Sequence, residues 1–131
     1  MIRMQGAAIL TLLTAALQIW AAVQVAKARG RFGIKAPATT GDPGFERVFR
    51  AQMNTIENTL VFLPVLWISA FYGLPVLYLV AGAIWLLARV WYVQAYSAEA
   101  ARRGLAFTIS MAALGVLLAD AGLGIARSMA G

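Results

Sequence analysis

Charge is gathered into clusters along this chain, and the gaps between the clusters decide what it can fold into. Met4 to Ala26 holds no charged residue, Asn58 to Ala88 holds none, and Gly104 to Ala126 holds only Asp120. A helix crossing the hydrocarbon of a bilayer needs about 20 predominantly apolar residues, so the first and last gaps each hold one crossing. The middle gap is too long for one crossing and breaks at Tyr72-Gly73-Leu74-Pro75. Gly there favours a turn, and Pro suits the first position of a new helix. The expected fold is an all-α membrane protein. It is a bundle of four transmembrane helices in a single domain over 1–131, with spans at approximately 5–27, 43–71, 75–97 and 103–127. Composition agrees: 62% of the 131 residues are hydrophobic and 12% are charged, against about 45–50% and 25% in soluble domains.

A cleaved signal peptide is the competing account of the N-terminus. Arg3 precedes the apolar run, and Ala26-Lys27-Ala28 has a small-x-small pattern. The run is longer than the roughly 7–15 apolar residues of a signal, so a span is expected instead.

The basic residues set the orientation. Lys27, Arg29, Arg31, Lys35, Arg47, Arg50, Arg89, Arg102 and Arg103 fall in or near connections 1–2 and 3–4, while Arg3 and Arg127 lie opposite. The positive-inside rule then puts both long connections in the cytoplasm and both termini outside. The net charge of +6 is accounted for by anionic headgroups along one membrane face, and no nucleic-acid partner is expected.

Local signals refine the spans. The first span is expected to end near Ala26, followed by a linker from Gly30 to Gly41 that contains Gly33, Pro37 and Thr39-Thr40-Gly41. Asp42 before Pro43 looks like an N-cap with Pro at the first helical position. A helix from there to Phe71 is about 43 Å long, which exceeds a hydrocarbon core of about 30 Å. Its first turns must protrude, leaving Arg47 and Arg50 at the interface with Asn54 and Glu57 just inside. Pro64, inside that helix, cannot donate to the Leu60 carbonyl.

Polar residues inside the spans are costly, and a charge at mid-helix costs about 2.5–3.5 kcal/mol. Arg50, Asn54 and Glu57 share one helical face at i, i+4, i+7. Arg50 or a neighbouring helix neutralises Glu57 in one account, and the carboxylate serves a ligand in the other. Arg89, Tyr92 and Tyr96 recur at i, i+3, i+7 on span three. Tyr and Trp also form belts at membrane interfaces, and Trp85 and Trp91 are expected in such a belt. Arg103 sits near a helix N-terminus, where the macrodipole disfavours a cation and favours an anion. An anionic ligand resolves that conflict. Asp120 is expected near the outer end of span four, partly solvated and without a role. The chain has no Cys and no His. That removes thiolate nucleophiles, sulfur-ligated metals and the commonest general base; no metal is expected, and any chemistry must rest on Arg, Tyr, Asn, Glu, backbone groups or a borrowed reagent.

The run Phe45-Glu46-Arg47-Val48-Phe49-Arg50-Ala51-Gln52-Met53-Asn54-Thr55-Ile56-Glu57 resembles the signature of the MAPEG family, membrane-associated proteins in eicosanoid and glutathione metabolism. The resemblance extends through Ala28-Arg29, Thr39-Thr40-Gly41 and Phe62-Leu63-Pro64 to Ala88-Arg89-Val90-Trp91-Tyr92-Val93-Gln94-Ala95-Tyr96. It implies a homotrimer of four-helix protomers, with glutathione as cosubstrate bound between neighbouring subunits near the cytoplasmic surface. Residues matching the family's glutathione contacts are Arg29, Arg50, Gln52, Asn54, Glu57, Tyr92 and Tyr96, and Arg103 matches its catalytic arginine. The small size resembles a bacterial member, which implies the inner membrane. Asn58, Gly30 and Gly104 depart from the specialised eicosanoid branches, which carry Tyr, Arg and Ser at those places. The implied function is therefore a general glutathione transferase acting on apolar electrophiles dissolved in the bilayer, with a possible peroxidase activity toward lipid hydroperoxides.

Two other functions compete. A non-catalytic lipid-binding scaffold would resemble a family branch degraded at the arginine and glutamate of this motif, both intact here. A small multidrug transporter would use Glu57 to exchange protons for cationic drugs, but the clustered arginines repel cations.

Overall fold

The computed structural model describes residues 2–131, with side chains from Met4 onward, so the Arg3 side chain lies outside the described residues. Four helices follow one another: α1 (Ile2–Phe32), α2 (Pro43–Tyr72), α3 (Pro75–Ala98) and α4 (Arg103–Ala130), with a 3₁₀ turn at Ala100–Arg102 before the last. Each contains a stretch long and apolar enough to cross a membrane. Large apolar side chains point outward, among them Leu12 and Leu60, 71% and 72% exposed. On a soluble protein such a surface would be a liability; on one facing lipid it is what the solvent requires. The α1–α2 and α3–α4 connections lie at one end of the bundle (the loop end), and the α2–α3 turn lies at the other (the turn end).

α1 outruns its expected end. It continues through Lys27 and Gly30 to Phe32 because Arg29 and Arg31 in its last turn suit the negative end of the helix dipole. Gly33, at φ +70°, then closes it. The Ile34 N–H donates to the Arg29 carbonyl at 3.1 Å, the six-to-one bond of a glycine-terminated helix.

Asp42 starts α2 as expected. Its Oδ1 accepts from Gly44 N at 2.7 Å and Phe45 N at 3.3 Å, with Pro43 in the first turn. The Phe32 ring sits where a Cβ on Gly44 would be, 2.5 Å away, so the end of α1 packs directly on the start of α2. α2 then runs unbroken through Pro64 to Tyr72.

The turn end corrects the expectation for Asp120. Rather than partly solvated, it is 2% exposed. It accepts from Ser69 Oγ at 2.5 Å and from Leu74 N at 3.0 and 3.1 Å through its two oxygens. Leu74 is the N-cap of α3 and has no capping side chain of its own. α4 thus supplies the cap that the α2–α3 turn lacks, meeting donors that a helix start otherwise leaves orphaned. The fit is close: a Cβ on Gly73 would collide with the Asp120 carboxylate, and one on Gly124 with the Tyr72 carbonyl.

Between the ends lies the core. Phe62 and Trp85 stack with centroids 3.7 Å apart and planes 4° from parallel, packed among Leu17, Leu66, Tyr78 and Leu117. This corrects the second expectation. Trp85 is 0% exposed, and its Nε1 donates to Asn58 Oδ1 at 2.7 Å. It belongs to the core, whereas Trp91 is half-exposed on the same helix. A buried Trp needs an acceptor for its N–H, and Asn58 is that acceptor.

Candidate functional site

The site grows out of one buried cation. Arg89, on α3, is 0% exposed. Its Nη2 donates to Asn54 Oδ1 at 2.7 Å and Thr55 Oγ1 at 3.0 Å, both on α2. Its Nη1 donates to Ser110 Oγ of α4 at 3.3 Å, and the guanidinium lies 4.1 Å from the centroid of the Tyr92 ring. Ser110 spends its own proton on the Phe107 carbonyl at 2.8 Å, which leaves its lone pairs for Arg89. Among the described residues no carboxylate pairs with this guanidinium.

Magnitudes show how the charge survives. An Arg at the middle of a membrane helix costs about 2.5–3.5 kcal/mol on insertion scales. Hydrogen bonds to a charged group contribute about 1.5–3 kcal/mol each, and an aromatic face adds about 0.5–2. Three oxygens and a ring therefore hold both Nη groups without a counterion, while Nε is buried with no hydrogen-bond partner among the described residues. They also tie α2, α3 and α4 together at this level. Arg89 was expected among the interfacial cations at the membrane edge. The structure instead buries it in the bundle, and its role as organiser was missed. The signal was present: it follows Leu86-Leu87-Ala88 and precedes Val90-Trp91, an apolar context in which a lone charge demands partners.

Arg89 fixes what Asn54 offers. A guanidinium can bond only the amide oxygen, so the NH₂ of Asn54 remains the group available to a ligand. Asn54 lines a cleft of about 550 Å³ together with Tyr92, Ala100, Arg103, Phe107 and Thr108. Tyr92 holds the inner wall, its ring edge-on to Tyr96 at 5.6 Å and tilted to Phe107 at 6.1 Å. Arg103 holds the rim. Its Nη1 donates to the Ala100 carbonyl at 2.7 Å, and its guanidinium lies 4.8 Å from the Tyr96 ring centroid.

Arg103 is also the first residue of α4, whose N-cap, Arg102, makes no capping side-chain bond. The Arg103 N–H is bonded to the Ala100 carbonyl of the preceding 3₁₀ turn, but the positive end of the α4 dipole and the Arg103 cation meet at one place, which favours a bound anion. Arg102 itself turns to Glu99, Nε to Oε2 3.0 Å, on the exposed surface.

The remaining expected residues lie elsewhere on the chain. Glu57 and Arg50 are exposed on α2, and Gln52 is half-buried. Among the described residues Glu57 makes no ion pair or hydrogen bond, and Arg50 does not neutralise it. The expectation of a buried carboxylate is corrected: Glu57 faces outward from the single chain. Arg29, at the end of α1, donates through Nη1 to the Ala38 carbonyl at 2.8 Å and the Ile34 carbonyl at 3.4 Å. Its guanidinium lies 4.9 Å from the Phe45 ring centroid. It braces the α1–α2 loop and does not line the Arg103 cleft. The chain thus brings together Asn54, Tyr92, Tyr96 and Arg103, and it leaves Arg29, Gln52, Arg50 and Glu57 outside that cleft.

The MAPEG family model matches residues 7–123. The chain is 38% identical over 118 residues to an uncharacterized protein of Synechocystis sp., covering 90% of this chain and 86% of that one. It is 38% identical over 121 residues to human microsomal glutathione S-transferase 2, covering 92% and 82%. Over 115 residues it is 38% identical to bovine leukotriene C4 synthase, covering 88% and 77%.

Proposed function

Because this chain belongs to the MAPEG family, we propose that it is a membrane-bound glutathione transferase whose Arg103 holds the glutathione sulfur as a thiolate. The observation that carries this reading is the cleft where Asn54, Tyr92 and Arg103 meet beside the uncapped start of α4. The names of the human and bovine relatives support the reaction class.

Glutathione brings the nucleophile that a chain without Cys lacks. It has two carboxylates, an ammonium and a thiol. Arg29 and Arg50 hold the carboxylates by forked, charge-assisted bonds, Glu57 receives the ammonium, and Gln52 and the Asn54 amide NH₂ bind peptide oxygens. Tyr92 and Tyr96 wall the sulfur end. Arg29, Arg50, Gln52 and Glu57 lie outside the cleft within one chain, which supports a complete site formed between subunits of a homotrimer. The loop end faces the cytoplasm and both termini face outward, in a bacterial inner membrane. An exposed Glu57 is consistent with a ligand or neighbour covering it, since a bare carboxylate at a membrane helix face is costly.

The chemical step is an addition or substitution at carbon. The thiol proton leaves to water, the sulfur lone pair forms the C–S bond, and the electrophile's electron pair moves to its leaving group or acceptor atom. A free thiol of this kind titrates near 8.5, so about 3% is ionised at pH 7. Lowering that value by about two units takes roughly 2.7 kcal/mol of preferential thiolate stabilisation and raises the ionised fraction to about three quarters. A guanidinium at a helix N-terminus is placed to supply it. The apolar electrophile enters from the bilayer, where it is already concentrated.

Calorimetric titration of the purified protein in detergent tests binding, and ultraviolet thiolate absorbance tests activation. The wild-type protein binds glutathione and gains thiolate absorbance; Arg103→Ala binds it and gains little. No binding by the wild-type protein would favour the lipid-binding scaffold, and full thiolate formation by the variant would remove Arg103 from the mechanism.

A further inference from the structure

A second cavity at the loop end, of about 720 Å³, opens between α1, α2 and α3 and shares no residue with the glutathione set. α1 contributes Gln24, Lys27 and Arg31 from one helical face, α2 contributes Arg47, and α3 contributes Gln94 and Ser97. Three cations line it and no carboxylate does. Among the described residues none of the three makes an ion pair.

Two of its polar atoms are unpaid. Among the described residues Arg47 Nε and Ser97 Oγ are buried and have no hydrogen-bond partner. Buried polar groups almost always have one, and an orphan calls for an explanation. Both atoms carry a proton to donate, and an oxyanion with several lone pairs would accept from both while neutralising the cations.

The cavity continues toward the middle of the bundle. An apolar groove of about 420 Å³ runs between α1 and α3, lined by Leu13, Leu17, Trp20, Leu86 and Val90. Gln94 belongs to both cavities. Along α1 the apolar part from Leu13 up to Gln24 spans about 16 Å of helix rise. The composite site is therefore cationic at the loop end and apolar along its length toward mid-membrane.

We propose that it holds one anionic phospholipid, with the headgroup phosphate among Lys27, Arg31 and Arg47 and an acyl chain in the α1–α3 groove. A free phosphate would leave the groove unused. A zwitterionic headgroup would bring its own cation to a wall of three cations with no carboxylate, so charge complementarity selects the anionic lipid.

Native mass spectrometry of the whole protein in detergent tests the site, with phosphatidylglycerol or phosphatidylcholine of identical chains added. The expected result is retention of one phosphatidylglycerol with about tenfold preference over phosphatidylcholine. Lys27→Gln/Arg31→Gln/Arg47→Gln loses that preference. Lys35→Gln/Arg102→Gln/Arg127→Gln, which removes the same charge elsewhere, keeps it. Should the first triple variant fail to fold, Arg31→Gln alone loses about threefold of the preference. Inorganic phosphate, glycerol phosphate and glutathione leave the lipid in place. Equal retention of the two lipids would overturn the proposal, as would an unchanged preference in both the cavity triple and Arg31→Gln. Displacement by inorganic or glycerol phosphate would show a headgroup site without an acyl groove. Displacement by glutathione would merge this cavity with the transferase site.

Discussion

The two ends of this bundle treat charge in opposite ways. At the turn end Asp120 is fully enclosed and fully bonded, to Ser69 Oγ and the Leu74 N–H, with Gly73 and Gly124 admitting no added carbon. At the loop end Arg89 is equally enclosed, but it organises a wall beyond which Arg103, Arg50 and Glu57 stand exposed. Arg103 bonds a single backbone carbonyl there, and the helix it begins is uncapped. The turn end spends its polar groups on itself and fixes three helices in place. The loop end leaves donors and charges for something else to meet. With the function proposed above, ligand contacts gather at the loop end and the self-satisfied polar contacts at the turn end, a separation along the bundle axis.

That separation can be broken by mutation, and the largest effect falls at the open end. Arg103→Ala is expected to lower kcat/KM for glutathione conjugation by about 10²–10³, the usual loss when a donor to a developing or held anion is removed. Its thermal unfolding in detergent should stay close to that of the parent, because its contacts are one exposed carbonyl and one ring face. Asp120→Ala should do the reverse. It leaves the Ser69 hydroxyl and Leu74 N–H buried without an acceptor, which costs about 3 kcal/mol, read as a lowered unfolding midpoint. Glutathione affinity of the folded fraction should be unchanged. A variant at the turn end that lost binding without losing stability would break the comparison.

Arg89→Leu sharpens it. Leucine removes the cost of burying the charge but leaves Asn54 Oδ1 and Thr55 Oγ1 without their donor, so the unfolding midpoint should fall by the equivalent of about 1–3 kcal/mol. The Asn54 amide loses the bond that orients it, and the glutathione Kd should rise about tenfold, which is about 1.4 kcal/mol by calorimetry. The smallest effect is expected at Tyr96. Removing its ring from Arg103 in Tyr96→Leu forfeits an exposed cation–π contact of about 0.5–1 kcal/mol, measurable as a two- to fivefold loss of turnover.

Much of the fold was legible because lipid leaves a chain few choices. Backbone groups inside the membrane must bond within their own segment, so uncharged stretches mark helices and the Asp42-Pro43 and Gly73-Leu74-Pro75 steps mark where they start and turn. What escaped the sequence depended on partners far along the chain. Asp120 finds Ser69 and Leu74 51 and 46 residues away, and Arg89 finds Asn54 and Thr55 35 and 34 residues away. Trp85 looked like an interfacial anchor because composition cannot say which face of α3 meets Phe62. Of the expected site, Asn54, Tyr92, Tyr96 and Arg103 come together within one chain. Glu57 shares the helical pattern of Arg50 and Asn54 but faces outward, since i, i+4, i+7 spacing fixes a common face without saying what lies opposite.

The sulfur itself gives the most direct test. Ultraviolet thiolate absorbance of glutathione bound to the intact protein, followed as pH is lowered from about 9 to 5, titrates the bound thiol against its ordinary value near 8.5. A midpoint about two units lower, returning toward the ordinary value in Arg103→Ala, is the result expected if the guanidinium holds S⁻. A bound thiol that titrates where free glutathione does would contradict the central claim.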